Sequence, residues 1–293
     1  MVYVLYNTFS GAHYGKDKIE EKMKSTFPGE EILLSDIITV DDKQGYISGL
    51  SETDRLVIVG GDGTLNHFVN AIEDREYPFP IYCYAAGTGN DFVNDVMGVG
   101  SDGFVMINDY IRNLPIIEVK GETYKFFNGI GYGIDGYCCE EGDKYRAKTG
   151  KAPNYTNIAI KGLLGGFKKL NAKVTVDGVT SEYKDVWMAP AMNGRYFGGG
   201  MMITPEQDRL NSDRDLSFVV VTCKSRLKIL TIFPKIFKGG HTKHTDVFKV
   251  FTGKKVEVEF DRPTALQIDG ETVLAVTKYT AKSSSLIKET ATV

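Results

Sequence analysis

The sequence predicts an α/β domain followed by a mostly antiparallel β domain. Three observations carry this. The chain has 293 residues, and at roughly 150 residues per domain that suits two domains. Its first 120 or so residues alternate short apolar strand runs with amphipathic helix patterns, the mark of a parallel α/β layer. After about Gly121 strand runs separated by turn residues take over.

Val2–Tyr6 reads as a buried strand and Lys16–Phe27 as an amphipathic helix, with Ile19 and Met23 four apart. Glu31–Leu34 is a second strand, and Leu56-Val57-Ile58-Val59 is the continuous apolar run typical of a parallel sheet. Leu65, Phe68, Val69 and Ile72 then fall at helical spacing and predict a helix over Thr64–Ile72. Pro80–Ala86 adds a strand, and Val105–Asn113 reads as a helix. In the second part, Lys173–Gly178, Leu216–Thr222, Val247–Phe251, Lys255–Phe260 and Ala265–Val276 read as strands. Thr156–Phe167 and Arg226–Phe237 read as its two helices. The expected domains are 1–121 and 122–275, with the tail 276–293 returning to the first.

Composition excludes several classes. Hydrophobic residues at 42% and charged residues at 25% are ordinary globular values. A net charge of −3 argues against nucleic acid as a partner. Cys83, Cys138, Cys139 and Cys223 form no CxxC pair, which suits a reducing, cytoplasmic compartment. The first residues lack a signal-peptide pattern. No run approaches the roughly 18 apolar residues that cross a bilayer. Contact with a membrane is therefore expected to be peripheral and transient, at its inner surface, and a homodimer is compatible with the composition.

The most informative motif is Gly60-Gly61-Asp62-Gly63-Thr64, between a strand and a helix. Glycines there let backbone N–H groups approach an anion, and the helix N-terminus favours negative charge. Asp62 would repel a bare phosphate but suits one bridged by a divalent cation. A tight strand–helix turn is the plainer alternative. Gly87-Thr88-Gly89-Asn90-Asp91-Phe92 repeats the arrangement after the next strand. Two such turns at neighbouring strand ends point to a nucleotide–Mg²⁺ site.

With the first turn (Asn7, Ser10, Gly11), these loops resemble the diacylglycerol kinase catalytic family. The resemblance continues in order through Asn193-Gly194-Arg195-Tyr196-Phe197-Gly198-Gly199-Gly200, His241-Thr242-Lys243-His244 and Asp269-Gly270-Glu271. It implies a Rossmann-like nucleotide-binding domain, a β-sandwich-like lipid-substrate domain, and an active site in the cleft between them. ATP and Mg²⁺ are the implied cofactors and a lipid hydroxyl, such as that of diacylglycerol, the acceptor. Gly60, Gly61, Gly63 and Thr64 would contact phosphates, with Asn7, Thr8, Ser10, Gly11, Gly87, Thr88, Gly89 and Asn90 completing the pocket. Asp62 would act through Mg²⁺, Glu271 would be the general base, and Asp269 would support it. A carboxylate at Glu271 suits phosphoryl transfer, which needs a group to take the hydroxyl proton. Asp-Gly is also the strongest short hairpin signal, and such a turn would present the glutamate.

The chain departs from the family pattern in places. Thr8 stands where the family often has proline, and His67 where relatives carry an acid. The turn near which bacterial members hold a structural Mg²⁺ reads Arg209-Leu210-Asn211-Ser212-Asp213-Arg214-Asp215. Leu210, Asp213 and Asp215 are the candidates there, and a solvated acidic turn balanced by the arginines is the alternative. Gly131-Tyr132-Gly133-Ile134-Asp135-Gly136 matches GxGxxG but shows no clean amphipathic helix after it. It reads as a glycine-rich segment entering the cleft. His241, His244 and the nearby lysines read as a basic patch for lipid headgroups or phosphate, or as a solvated loop. Two other functions remain open: a NAD or other small-molecule kinase, and a non-catalytic lipid-binding or nucleotide-sensing protein.

Overall fold

The computed structural model describes the backbone of residues 1–8, 15–87, 89–101 and 103–291, with side chains up to Ile287. The chain forms two compact units, Met1–Leu114 and Pro115–Val293.

The first unit is built on β1 (Val2–Tyr6), α1 (Lys16–Thr26), β2 (Ile32–Asp36), α2 (Lys43–Ser48), β3 (Arg55–Gly60), α3 (Asp62–Asn70), β4 (Ile81–Ala85), α4 (Asp91–Met97) and β5 (Phe104–Met106). Its sheet runs β2-β1-β3-β4-β5, parallel except for β5. The apolar runs of β1 and β3 lie inside: Val4, Leu5, Val57 and Ile58 are fully buried. The connection after β1 runs to β2 on one side, and the connection after β3 runs to β4 on the other. This makes a crevice at the carboxyl ends of β1 and β3, where open α/β sheets bind ligands. The helix expected over Val105–Asn113 is instead β5 followed by hydrogen-bonded turns at Ile107–Ile111. Val105 pairs with Cys83 across the sheet, which overrides local helical spacing.

The second unit comprises β6 (Ile116–Val119), β7 (Glu122–Lys125), β8 (Gly129–Tyr132), α5 (Ile134–Thr149), α6 (Tyr155–Lys161), β9 (Leu170–Val176), β10 (Val179–Met188), β11 (Ala191–Met192), β12 (Tyr196–Phe197), β13 (Met201–Met202), β14 (Leu216–Thr222), α7 (Arg226–Ile232), β15 (Phe248–Gly253), β16 (Lys255–Ile268), β17 (Glu271–Lys282) and α8 (Ser284–Ala291). Ten of these strands form one sheet, β7-β6-β17-β16-β8-β11-β14-β10-β9, with β15 on β14. All its pairings are antiparallel, and β9 returns to pair with β16. Trp187, Tyr132, Tyr279 and Phe218 centre the core. Its buried polar tips are satisfied: the Tyr132 hydroxyl donates to the Val276 carbonyl, and the Trp187 indole to Cys223.

Three expectations change here. The boundary lies at Leu114, not Gly121, because Lys120-Gly121 is the turn of the β6–β7 hairpin, with both residues at positive φ. The tail belongs to the second unit, where β17 runs to Lys282 and pairs with β16 and β6. A helix does follow Gly131–Gly133. This helix, α5, escapes the apolar-periodicity test because after Ile134 it buries Asp135, Gly136, Cys138 and Gly142 rather than a periodic run of large apolar side chains. A Cβ at Gly136 would stand 2.0 Å from the Ala265 carbonyl oxygen, so close packing replaces bulk. Among the described residues no helix is long and apolar enough to cross a membrane.

Candidate active site

In the first unit the two glycine turns converge. Gly60 ends β3, Gly61 caps α3, and Asp62 is its first residue. Gly87 follows β4, and Asn90 takes a left-handed conformation (φ 50°) to start α4. A Cβ on Gly87 would lie 2.7 Å from the Gly61 Cα, and one on Gly61 3.2 Å from the Gly87 Cα. The glycines are therefore required by the approach of one backbone to the other. A Cβ on Gly60 would strike the Thr64 side chain at 2.5 Å.

Asp62 locks this junction. Its carboxylate oxygens accept the backbone N–H groups of Asp91 and Phe92, each at 3.0 Å. One aspartate thus joins both turns, and its charge sits at the start of two helices, where dipoles favour it. The Asn90 side chain closes its own turn, accepting from Gly87 N–H at 3.1 Å and donating to the Gly87 carbonyl at 3.0 Å. Asn94 donates to the Gly89 carbonyl. At the end of β1, the Asn7 amide donates to the Thr64 hydroxyl at 3.0 Å. The neighbouring Thr8 points elsewhere, donating to Asp36. Thus Asn7, Gly60, Gly61, Asp62, Thr64, Gly87 and Asn90 meet at one sheet edge. Ser10, Gly11 and Thr88 lie outside the described residues.

In the second unit, Asp269-Gly270 is the hairpin turn between β16 and β17, with φ values of 48° and 96°. Asp269 is buried, and its carboxylate accepts three consecutive backbone N–H groups. Phe127 donates to Oδ2; Asn128 and Gly129 donate to Oδ1 at 2.7 and 2.9 Å. It therefore anchors the turn to the segment entering β8. Arg209 donates to the Phe127 carbonyl and the Asn128 side chain, and Asn193 also donates to the Phe127 carbonyl. Gln267 holds the turn from the other side: its Oε1 accepts Gly270 N–H at 2.6 Å, while its Nε2 donates to Asp135 at 2.8 Å. Gly131 makes room for this pair, since a Cβ there would fall 1.6 Å from an Asp135 oxygen. Burial lifts the Asp135 carboxyl to about 6, against the lowering effect of the Gln267 hydrogen bond. Glu271 is the exposed first residue of β17. Its charge joins burial and Asp135 in raising the thiol of Cys139 on α5.

Sequence reasoning missed Asp135, Gln267 and Arg209 as members of this network. The GxGxxG spacing marks Asp135, but as packing for the turn rather than as a ligand loop. The basic patch loses His241. That side chain is fully buried, stacks edge-on against Phe248, and its Nε2 bonds the Ile203 carbonyl. At the Leu210–Asp215 turn, Asn211 donates to the Asp208 and Asp215 carbonyls. Asp213 is exposed, and one buried Asp215 oxygen has no hydrogen-bond partner. Among the described residues no three His, Cys, Asp or Glu side chains cluster as metal ligands.

Residues 1–114 match the diacylglycerol kinase catalytic domain, and residues 128–283 match the YegS C-terminal NAD kinase beta sandwich-like domain. A diacylglycerol kinase of Mycobacterium tuberculosis is 26% identical over 214 residues, covering 71% of this chain and 67% of its own. YtlR of Bacillus subtilis is 25% identical over 291 residues, covering 92% and 88%. A crystal structure of a Bacillus anthracis diacylglycerol kinase shares the fold, with a TM-score of 0.64 at 20% identity over 97% of this chain and 94% of that one. Paired glycine turns on a parallel sheet, an Asp-Gly-Glu hairpin on an antiparallel one, and two successive domain matches together place this chain in the diacylglycerol kinase family of lipid kinases.

Proposed function

We propose that the protein transfers the γ-phosphate of ATP to a lipid hydroxyl, that of diacylglycerol or a similar lipid, with Mg²⁺. The observation that carries this is the Gly61–Gly87 backbone approach locked by Asp62. It leaves a side-chain-free floor at the carboxyl ends of β3 and β4 and at the N-terminus of α3, a setting that suits phosphates. Asn7 and Thr64 form one wall of it.

The residues fit a magnesium ion carried in with the nucleotide. Such an ion takes one or two protein carboxylates and fills its remaining positions with phosphate oxygens and water. Asp62 supplies a carboxylate at the first turn of α3, beside the phosphate floor. Magnesium, when bound, neutralises phosphate charge and holds oxygens in line. The second unit supplies the other group. Glu271 takes the proton of the attacking hydroxyl, and Asp269 and Gln267 fix the turn that presents it. Asp269 is a positioning residue, because its carboxylate is occupied by three N–H groups.

The test is transfer of labelled γ-phosphate from ATP and Mg²⁺ to a panel of lipids in mixed micelles, with NAD offered in parallel. Label in the lipid extract is expected. Label in the NAD fraction alone, or in neither fraction with ATP still bound, would overturn the reading.

A further inference from the structure

The second unit separates its charges. Between Asp143 and Asp177 there are eight Lys and Arg residues and no Asp or Glu; between Asp215 and Asp246 there are six and again none. The chain as a whole has 38 acidic residues against 35 basic ones, so this segregation is local and strong. The fold joins the two stretches. Arg226, first residue of α7, reaches into the turn after α6 and donates to the Leu163 and Phe167 carbonyls at 2.7 and 2.9 Å.

Two large apolar side chains stand out at this seam. Leu164 is 62% exposed and Leu227 is 77% exposed, each next in sequence to a residue of that contact. The segment from α7 onward is two-faced. Ile229, Ile232 and Ile236 point into the core, while Leu227, Pro234, Lys235, Phe237 and Lys238 face solvent. Pro234 has no N–H to continue the helix, and the chain tightens there into a 3₁₀ turn, Phe233–Lys238. Lys161, Lys168 and Lys224 are exposed around the seam. Ion pairs join Asp246 to Lys228, Asp185 to Lys169, and Asp261 to Arg262, whose guanidinium also donates to the Lys168 and Lys169 carbonyls.

Exposed leucines ringed by lysines on a short amphipathic segment are the composition of an interfacial binding face. The lysines are drawn to anionic headgroups within about a Debye length. We propose that this face docks on the surface of an anionic bilayer, with Leu164 and Leu227 entering the headgroup–acyl boundary. The purpose of such docking, delivery of the enzyme to a lipid acceptor, rests on the lipid-kinase reading; the docking itself does not.

The experiment is co-sedimentation of the full chain with vesicles of phosphatidylcholine alone or with about one third phosphatidylglycerol, without ATP. Binding to the anionic vesicles is expected, with a fall of about tenfold or more in ~0.5 M salt. The double variant Leu164→Glu/Leu227→Glu should bind at least ~10-fold more weakly. Val179→Glu, which replaces an equally exposed apolar residue on the β9–β10 hairpin, should bind as wild type. Should the double variant unfold, Lys161→Gln/Lys168→Gln/Lys224→Gln serves in its place with the same expectation. Equal binding to neutral and anionic vesicles, no binding by wild type, binding to RNA in place of vesicles, or undiminished binding by the variants would each overturn the proposal. Vesicle binding without phosphate transfer to any lipid would support the docking face and refute the kinase reading.

Discussion

Each unit of this protein has a turn held by an aspartate, and the two are locked in the same way but over very different distances in sequence. In the first unit Asp62 uses both carboxylate oxygens to hold N–H groups 29 and 30 residues away. In the second Asp269 holds three N–H groups 140 to 142 residues away. Around Asp62 the supporting device is the absence of side chains, two glycine backbones in contact. Around Asp269 it is a buried polar network through Gln267, Asp135, Asn193 and Arg209. The comparison teaches that an aspartate in a glycine-rich motif can be structural as well as chemical. Its substitution then reports on both.

The largest expected effect is at Asp269. Asp269→Ala bares three buried donors, each costing ~1–3 kcal/mol, so unfolding stability should fall by about 4 kcal/mol in urea titration. Asp269→Asn should cost less, because Asn tolerates positive φ and keeps one acceptor. A fall under about 1 kcal/mol for Asp269→Ala would break the comparison.

Next is the glycine contact. Gly87→Ala should cost about 2–3 kcal/mol and weaken ATP binding, while Gly61→Ala, with the longer approach, should do less of both. Thermal unfolding and calorimetric titration with ATP read the two effects. Equal behaviour of the two variants would mean that the backbone contact does not set the site.

Asp135 offers a smaller, pH-dependent effect. Its carboxyl titrates at about 6 in the fold and near ~4 unfolded. The folded state therefore binds more protons in that window. The contribution is fully present below ~4 and is lost as pH rises through about 6. Asp135→Asn should remove this decline, about 1.4 kcal/mol when stabilities from urea titration at about pH 5 and pH 7.5 are compared. An unchanged slope would place the titration elsewhere.

The smallest effect is at Asn7. Asn7→Ala removes one half-buried hydrogen bond to Thr64 and should cost about 1 kcal/mol.

How much of this was legible in the sequence follows the same contrast. The Gly60–Thr64 and Gly87–Phe92 turns could be read because their requirement is local, a strand, glycines and a helix in succession. The helix starts at Asp62 rather than Thr64, since Asp62 and Gly63 form its first turn. The Asp269-Gly270 hairpin was legible for the same reason, through positive φ at both residues. Its anchors were not, because Phe127, Asp135 and Gln267 meet only through strand pairing across more than 130 residues. Helix α5 was hidden by a buried face of glycine, cysteine and aspartate. His241 was misjudged because its neighbours in sequence are polar while its neighbours in space are Phe248 and the Ile203 carbonyl.

Glu271 is the residue on which the account turns, and its exposure makes it the cleaner target. Asp62→Asn would disturb two backbone anchors along with any chemistry. The direct measurement is single-turnover transfer of labelled γ-phosphate to lipid by wild type and Glu271→Gln, with ATP affinity measured beside it. A fall of about 10²-fold or more, with ATP binding and stability unchanged, is the predicted result. A Glu271→Gln rate within about threefold of wild type would contradict the assignment of Glu271 as the base.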